Sequence, residues 1–118
     1  MSHSYFSEVP EIAVETLEAQ LKSGLQGLQF IDVREAQEVA IASLPGFENL
    51  PLSEFAEWSD QIPLRFDPHQ ETMVLCHHGL RSAQMCQWLM RQGFTDVKNV
   101  AGGIDAYTRK VDPTLPRY

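Results

Sequence analysis

Between Glu71 and Arg91 a short apolar run, Thr72-Met73-Val74-Leu75, passes through a polar loop, Cys76-His77-His78-Gly79-Leu80-Arg81, into an amphipathic segment that begins at Ser82. Few folds accommodate that junction. An apolar run of this length fits a strand buried on both faces, as in parallel sheets. A helix that follows within a few residues makes a βα unit. The same alternation occurs elsewhere. Leu28, Phe30 and Ile31 form a second strand and Val97–Val100 a last one, with brief strands expected at Glu11–Ala13, on an edge, and at Glu48–Leu50. Val14, Leu17 and Leu21 recur at helical spacing before Gly24, opposite Glu15, Glu18 and Lys22. A short helix is expected from Glu35 to about Ile41. Ser53 is placed to cap a helix holding Glu54, Phe55, Glu57 and Trp58. Residues 59–71, with Pro63 and Pro68, read as loop, and Ile104, Tyr107 and Val111 suggest a final short helix. Strands alternating with helices imply an α/β domain with a mainly parallel sheet covered on both faces. Ligands of such sheets bind beyond the carboxyl ends of the strands, where Asp32 and Cys76 both fall.

The 118 residues suit one domain, with a core over about 11–111, a loose lead-in at 1–10 and an extended tail at 112–118. A net charge of −7 argues against nucleic acid and anionic membranes as partners. No apolar run approaches the ~20 residues of a membrane span, and no basic-then-apolar leader opens the sequence. A cytoplasmic location is the expectation.

Two cysteines do not make a disulfide scaffold. Cys76 stands at a strand end just before a helix, whose unpaired N–H groups and partial positive charge favour a thiolate. Gly79 permits positive φ and lets successive N–H groups turn inward as an anion cradle, and Arg81 adds a full charge. The loop thus offers a nucleophilic sulfur within a cradle for negative charge. The bland alternative, a buried core cysteine, fits poorly with the polar run that follows Cys76. It fits Cys86, which shares a helix face with Met85, Leu89 and Met90. A Cys76–Cys86 disulfide is disfavoured by reach: Arg81 to Cys86 already spans about 7.5 Å of helix, past the usual limit. His77 and His78 read as rim residues. A zinc site needs about four convergent ligands, and the sequence shows no supporting pattern, so no metal and no cofactor is expected. Asp32 braces its loop, Arg34 forms a structural ion pair, and Ser82 feeds hydrogen bonds to the cysteine loop. Trp58 and Trp88 read as packing residues, and Gly102-Gly103 as a tight turn.

The loop Cys76-His77-His78-Gly79-Leu80-Arg81-Ser82 resembles the C-x-x-G-x-R-S active-site loop of single-domain rhodaneses. Asp32-Val33-Arg34 is similar to an early segment of that family. So are Pro45-Gly46 with Asn49-Leu50-Pro51-Leu52, and Gly102-Gly103-Ile104-Asp105-Ala106-Tyr107, in the family's order. Ala42-Ser43 stands where Gly-His is frequent, and Tyr107 where Trp is frequent. The resemblance implies a five-stranded, mostly parallel sheet flanked by helices. It also implies sulfurtransfer: Cys76 takes the outer sulfur of thiosulfate or another persulfide donor and passes it to a nucleophile. His77, His78, Gly79, Leu80, Arg81 and Ser82 would surround the small anionic donor, with Asp32 and Arg34 in support. A protein could deliver or accept the sulfur. Three other readings stay open: a persulfide carrier or docking module for a partner, a redox-sensing thiol, and a cysteine phosphatase or arsenate reductase. The last uses C-x5-R, whereas this loop is C-x4-R.

Overall fold

The computed structural model describes residues 9–24 and 26–118. Five strands, β1 (Glu11–Ile12), β2 (Leu28–Asp32), β3 (Glu48–Asn49), β4 (Glu71–Leu75) and β5 (Val97–Val100), form one sheet in the order β1-β5-β4-β2-β3. Every pairing is parallel. The three longest strands take the centre, and the two-residue strands take the edges, as expected where short edges limit unwanted pairing.

Side chains alternate across the sheet, and each face has its own helices. Phe30, Met73 and Leu75 point to the layer of α1 (Val14–Ser23) and α6 (Gly103–Lys110), packing with Leu17, Ile104 and Tyr107. Ile31, Val74 and Cys76 point the other way, to α5 (Leu80–Arg91), with Met85, Cys86 and Leu89. α3 (Phe55–Trp58) and α4 (Ile62–Arg65) complete that second layer through Trp58 and Ile62. Phe55, Trp58 and Trp88 meet edge to face with centroids 5.0–6.0 Å apart, so both tryptophans pack. α2 (Ala36–Ile41) buries no side chain; Glu35 and Glu38 fix it by a reciprocal capping box.

The first helix stops at Gly24 and β5 spans Val97–Val100, as the periodicity predicts. Three expectations change. Ser53 caps nothing: helical turns begin at Leu52, and the Ser53 hydroxyl donates to the Glu35 carboxylate instead. The stretch expected to be loop carries the 3₁₀ turn Ser59–Gln61 and then α4, because Pro63 sits in a first helical turn, where no N–H is needed. The tail is not simply extended. It turns at Asp112, packs Leu115 on the α1/α6 layer and brings Tyr118 to the cysteine loop. Most of the expected lead-in lies outside the described residues. Among those described, no helix is long and apolar enough to cross a membrane.

Candidate active site

Cys76 follows the last residue of β4 and is 1% exposed, yet it floors an open pocket of about 190 Å³ walled by His77, His78, Leu80 and Arg81. Gly79, at φ 104°, occupies the N-cap of α5 and aims its N–H at Cys76 Sγ, 3.0 Å away. The first intrahelical bond of α5 runs from the Ala83 N–H to the Gly79 carbonyl. The N–H groups of Gly79, Leu80, Arg81 and Ser82 therefore have no partner within the helix, and that of Gly79 meets the sulfur. α5 starts two residues earlier than the apolar pattern suggests, which draws Leu80 and Arg81 into its first turn. Leu80 is 66% exposed at the rim.

Ser82 is fully buried, with its hydroxyl 3.2 Å from Sγ and hydrogen-bonded to Asn99 Oδ1. Asn99 lies on β5; its Nδ2 donates to the Gly79 carbonyl at 2.9 Å. One buried amide thus grips both the glycine whose N–H meets the sulfur and the serine whose hydroxyl meets it. Ser82 has a single proton, so donating to Sγ means withdrawing from Asn99. Nothing in a polar residue between Lys98 and Val100 announces in the sequence that Asn99 braces the cysteine loop.

The other wall comes from α6. The Ile104 and Asp105 N–H groups donate to the Cys76 and His77 carbonyls at 2.9 and 3.0 Å. Both carbonyls at the start of the loop are thereby tied to α6. The approach is close: a Cβ on Gly103 would lie 2.3 Å from the His77 oxygen and 2.5 Å from that of Cys76. The Gly-Gly pair is thus more than a turn; its second glycine lets helix and loop touch.

Arg81 does not project alone into the pocket. Both of its terminal nitrogens pair with Glu38 of α2, at 2.7 and 2.9 Å. This pair holds the Glu38 carboxyl down at about 2, Arg81 being the largest cause. The Tyr118 hydroxyl also donates to Glu38, at 3.0 Å, and accepts from Arg34 at 2.9 Å. The Tyr118 ring stacks on His77 with centroids 3.9 Å apart. Arg34 itself is fully buried and clamps Asp32 through Nε and Nη2, with the Ala42 carbonyl 2.8 Å from Nη2. Asp32 and Arg34 are accordingly a buried brace one layer behind the pocket, linked to it through Tyr118.

His77 is half-buried and His78 exposed. Burial, then the neighbouring His78, shifts His77 below the usual imidazole range. The structure adds Asp105 to them, with ligand atoms all within 4.8 Å of one another, a grouping the sequence did not reveal. Asp105 is already paired with Arg109 at 2.9 Å and Arg117 at 3.5 Å, so its carboxylate is committed to guanidinium groups. Cys86 is fully buried, and burial pushes its thiol up to about 12, an inert core residue. Both cysteines are free.

The family model for the rhodanese-like domain matches residues 14–110, and the chain belongs to that family. It is 46% identical over 112 residues to the rhodanese-like/PpiC domain-containing protein 12, chloroplastic, of Arabidopsis thaliana, covering 93% of this chain but only 38% of that protein. It is 31% identical over 106 residues to the putative sulfurtransferase YtwF of Bacillus subtilis, covering 90% of this chain and 97% of YtwF. Among solved structures, the human single-domain sulfurtransferase TSTD1 superposes with a TM-score of 0.74 at 26% identity, covering 86% of this chain and 97% of that one.

Proposed function

We propose that the chain is a sulfurtransferase that carries a sulfane sulfur on Cys76. The observation that carries this reading is the environment of Sγ: a buried sulfur at the floor of an open pocket, met by the Gly79 N–H and the Ser82 hydroxyl at the start of a helix. In the first half-reaction the Cys76 thiolate attacks the terminal sulfur of a donor, thiosulfate or a persulfide. The Sγ–S bond forms, the donor's S–S bond breaks, and its electron pair leaves on sulfite or on a thiolate. The new terminal sulfur then lies nearer the inward N–H groups of the first turn of α5, which stabilise its negative charge as an oxyanion hole would. In the second half-reaction a nucleophile, either a small one such as cyanide or a thiol of a protein, removes that sulfur and restores the thiolate.

The family match and the sulfurtransferase relatives support transfer of sulfur. The four-residue spacing between Cys76 and Arg81 supports a loop closed around one sulfur atom over one that wraps a phosphate. Two half-reactions through a covalent intermediate predict ping-pong kinetics. With thiosulfate and cyanide varied together, double-reciprocal plots are expected to be parallel, and Cys76→Ser is expected to abolish turnover. Intersecting lines, or turnover surviving in Cys76→Ser, would exclude the covalent route.

A further inference from the structure

We infer that Glu38 sets the donor class of this site by neutralising Arg81, so that the pocket favours a sulfane-sulfur donor of low charge, an organic persulfide, over the thiosulfate dianion. The inference rests on the sulfurtransfer reading and concerns which donor that chemistry uses.

Among the described residues, Arg81 is the one permanently charged side chain in the lining of the Cys76 pocket, and both of its terminal nitrogens are directed at Glu38. The pair is not a casual surface contact. Glu38 Oε1 accepts from the Glu35 N–H at 3.0 Å as well as from Arg81, and Oε2 accepts from Arg81 and from the Tyr118 hydroxyl. All four bonds converge on one carboxylate that is 18% exposed, and Arg81 first among them holds its titration well below the usual carboxylate range. Of the other guanidinium groups nearby, Arg34 is matched by Asp32, whereas Arg109 and Arg117 share the single carboxylate of Asp105 and lie exposed to solvent outside the lining of the Cys76 pocket. His77 is biased to the neutral imidazole by burial. The pocket therefore meets a donor with backbone N–H dipoles, little net positive charge, and a chain of net charge −7 around it. A dianion entering such a site gives up hydration without a free cation to replace it. A persulfide RS–SH gives up less. Attack by Sγ on its outer sulfur forms Cys76–S–SH and releases RS⁻, one negative charge before and one after. The exposed side chain of Leu80 at the rim suits the organic part of such a donor.

The test compares the second-order rate of one-sulfur loading from thiosulfate with that from the persulfide of 2-mercaptoethanol, whose organic part is uncharged. Glu38→Gln keeps an oxygen for the Glu35 N–H but frees the charge of Arg81. Two unit charges of the donor facing one released cation at about 6 Å in water correspond to about a tenfold gain. Glu38→Gln is therefore expected to raise thiosulfate loading about tenfold, with the persulfide rate changed less than about twofold. The gain should shrink as salt rises, because screening acts on the freed cation. Tyr118→Phe removes one neutral bond to Glu38 but keeps its charge and both Arg81 bonds, so it should leave the donor ratio near that of the wild type, and Glu38→Ala, which also removes the charge, should shift the ratio as Glu38→Gln does. An unchanged ratio in both Glu38 variants, slower thiosulfate loading in Glu38→Gln, or an equal shift in Tyr118→Phe would overturn it while leaving sulfurtransfer standing. Loading of the wild type by neither donor would overturn both.

Discussion

Gly103→Ala should damage the site from a residue that carries no chemistry. At φ 66° an alanine pays left-handed strain of roughly 1–2 kcal/mol. Its Cβ would also fall 2.3 Å from the His77 carbonyl oxygen and 2.5 Å from that of Cys76, both backbone atoms that cannot swing aside. Relief needs α6 and the loop to part by about 1 Å, a normal contact being about 3.5 Å. That movement breaks the hydrogen bonds from Ile104 and Asp105 to the loop, each worth about 1 kcal/mol. Strain and lost bonds together come to about 3–4 kcal/mol, a fall in Tm of roughly 10–15 °C for a domain of this size. Released from α6, the loop loses the geometry that presents its N–H groups to sulfur, and a misplacement of that order costs about 100-fold in rate. Gly27→Ala is the control. It has a similar φ of 76° but, among the described residues, nothing within 4 Å of the new Cβ, so it should cost only the strain, with a Tm loss of roughly 5 °C and unchanged loading. Calorimetry and single-turnover loading from a persulfide donor measure the two effects. Equal Tm losses in the two variants, or wild-type loading in Gly103→Ala, would refute the claim that α6 sets the loop.

Ser82→Ala removes the side-chain donor to Cys76 Sγ and should slow loading about 10-fold, the worth of a hydrogen bond to a charged group. Asn99→Ala should slow it too, while Asn99→Asp, which keeps an acceptor for Ser82 but loses the donor to the Gly79 carbonyl, should recover only part of the rate in the same assay. Glu38, lowered from 4.5 to about 2, contributes stability that is fully present above pH 4.5 and is lost as pH falls through 2. The Tm of the wild type should therefore fall more steeply over that window than the Tm of Glu38→Gln, and equal slopes would contradict the Arg81 pairing. Cys86→Ala should leave loading intact and cost about 1 kcal/mol in denaturant unfolding, as expected for a small cavity in a packed core.

The sheet was legible because Met73–Leu75 of β4 and Phe30–Ile31 of β2 are apolar on both faces, and a buried parallel strand leaves that mark in local sequence. The cysteine loop was legible because its parts are contiguous: Cys76, Gly79, Arg81 and Ser82 fall within seven residues. What the sequence hid is what the fold assembles from afar. Glu38 could be seen as an acid opening a helix, but its pairing with Arg81 bridges 43 positions. Tyr118 reaches Arg34 across 84 positions, and a tail with two prolines gives no local sign of docking. Asn99 acts through register: β5 lies beside β4, which sets Asn99 opposite Val74 and within reach of the Gly79 and Ser82 loop. Side chains that serve a site by where a strand or tail ends have no periodicity to announce them.

The central claim, that Cys76 is the sulfur carrier, is tested most directly by intact-mass measurement after incubation with thiosulfate or a persulfide and removal of the donor. The expected result is a one-sulfur increment on the wild type and on Cys86→Ala, absent from Cys76→Ser and discharged by cyanide with release of thiocyanate. A wild-type mass unchanged by every donor, or an increment that persists in Cys76→Ser, would contradict it.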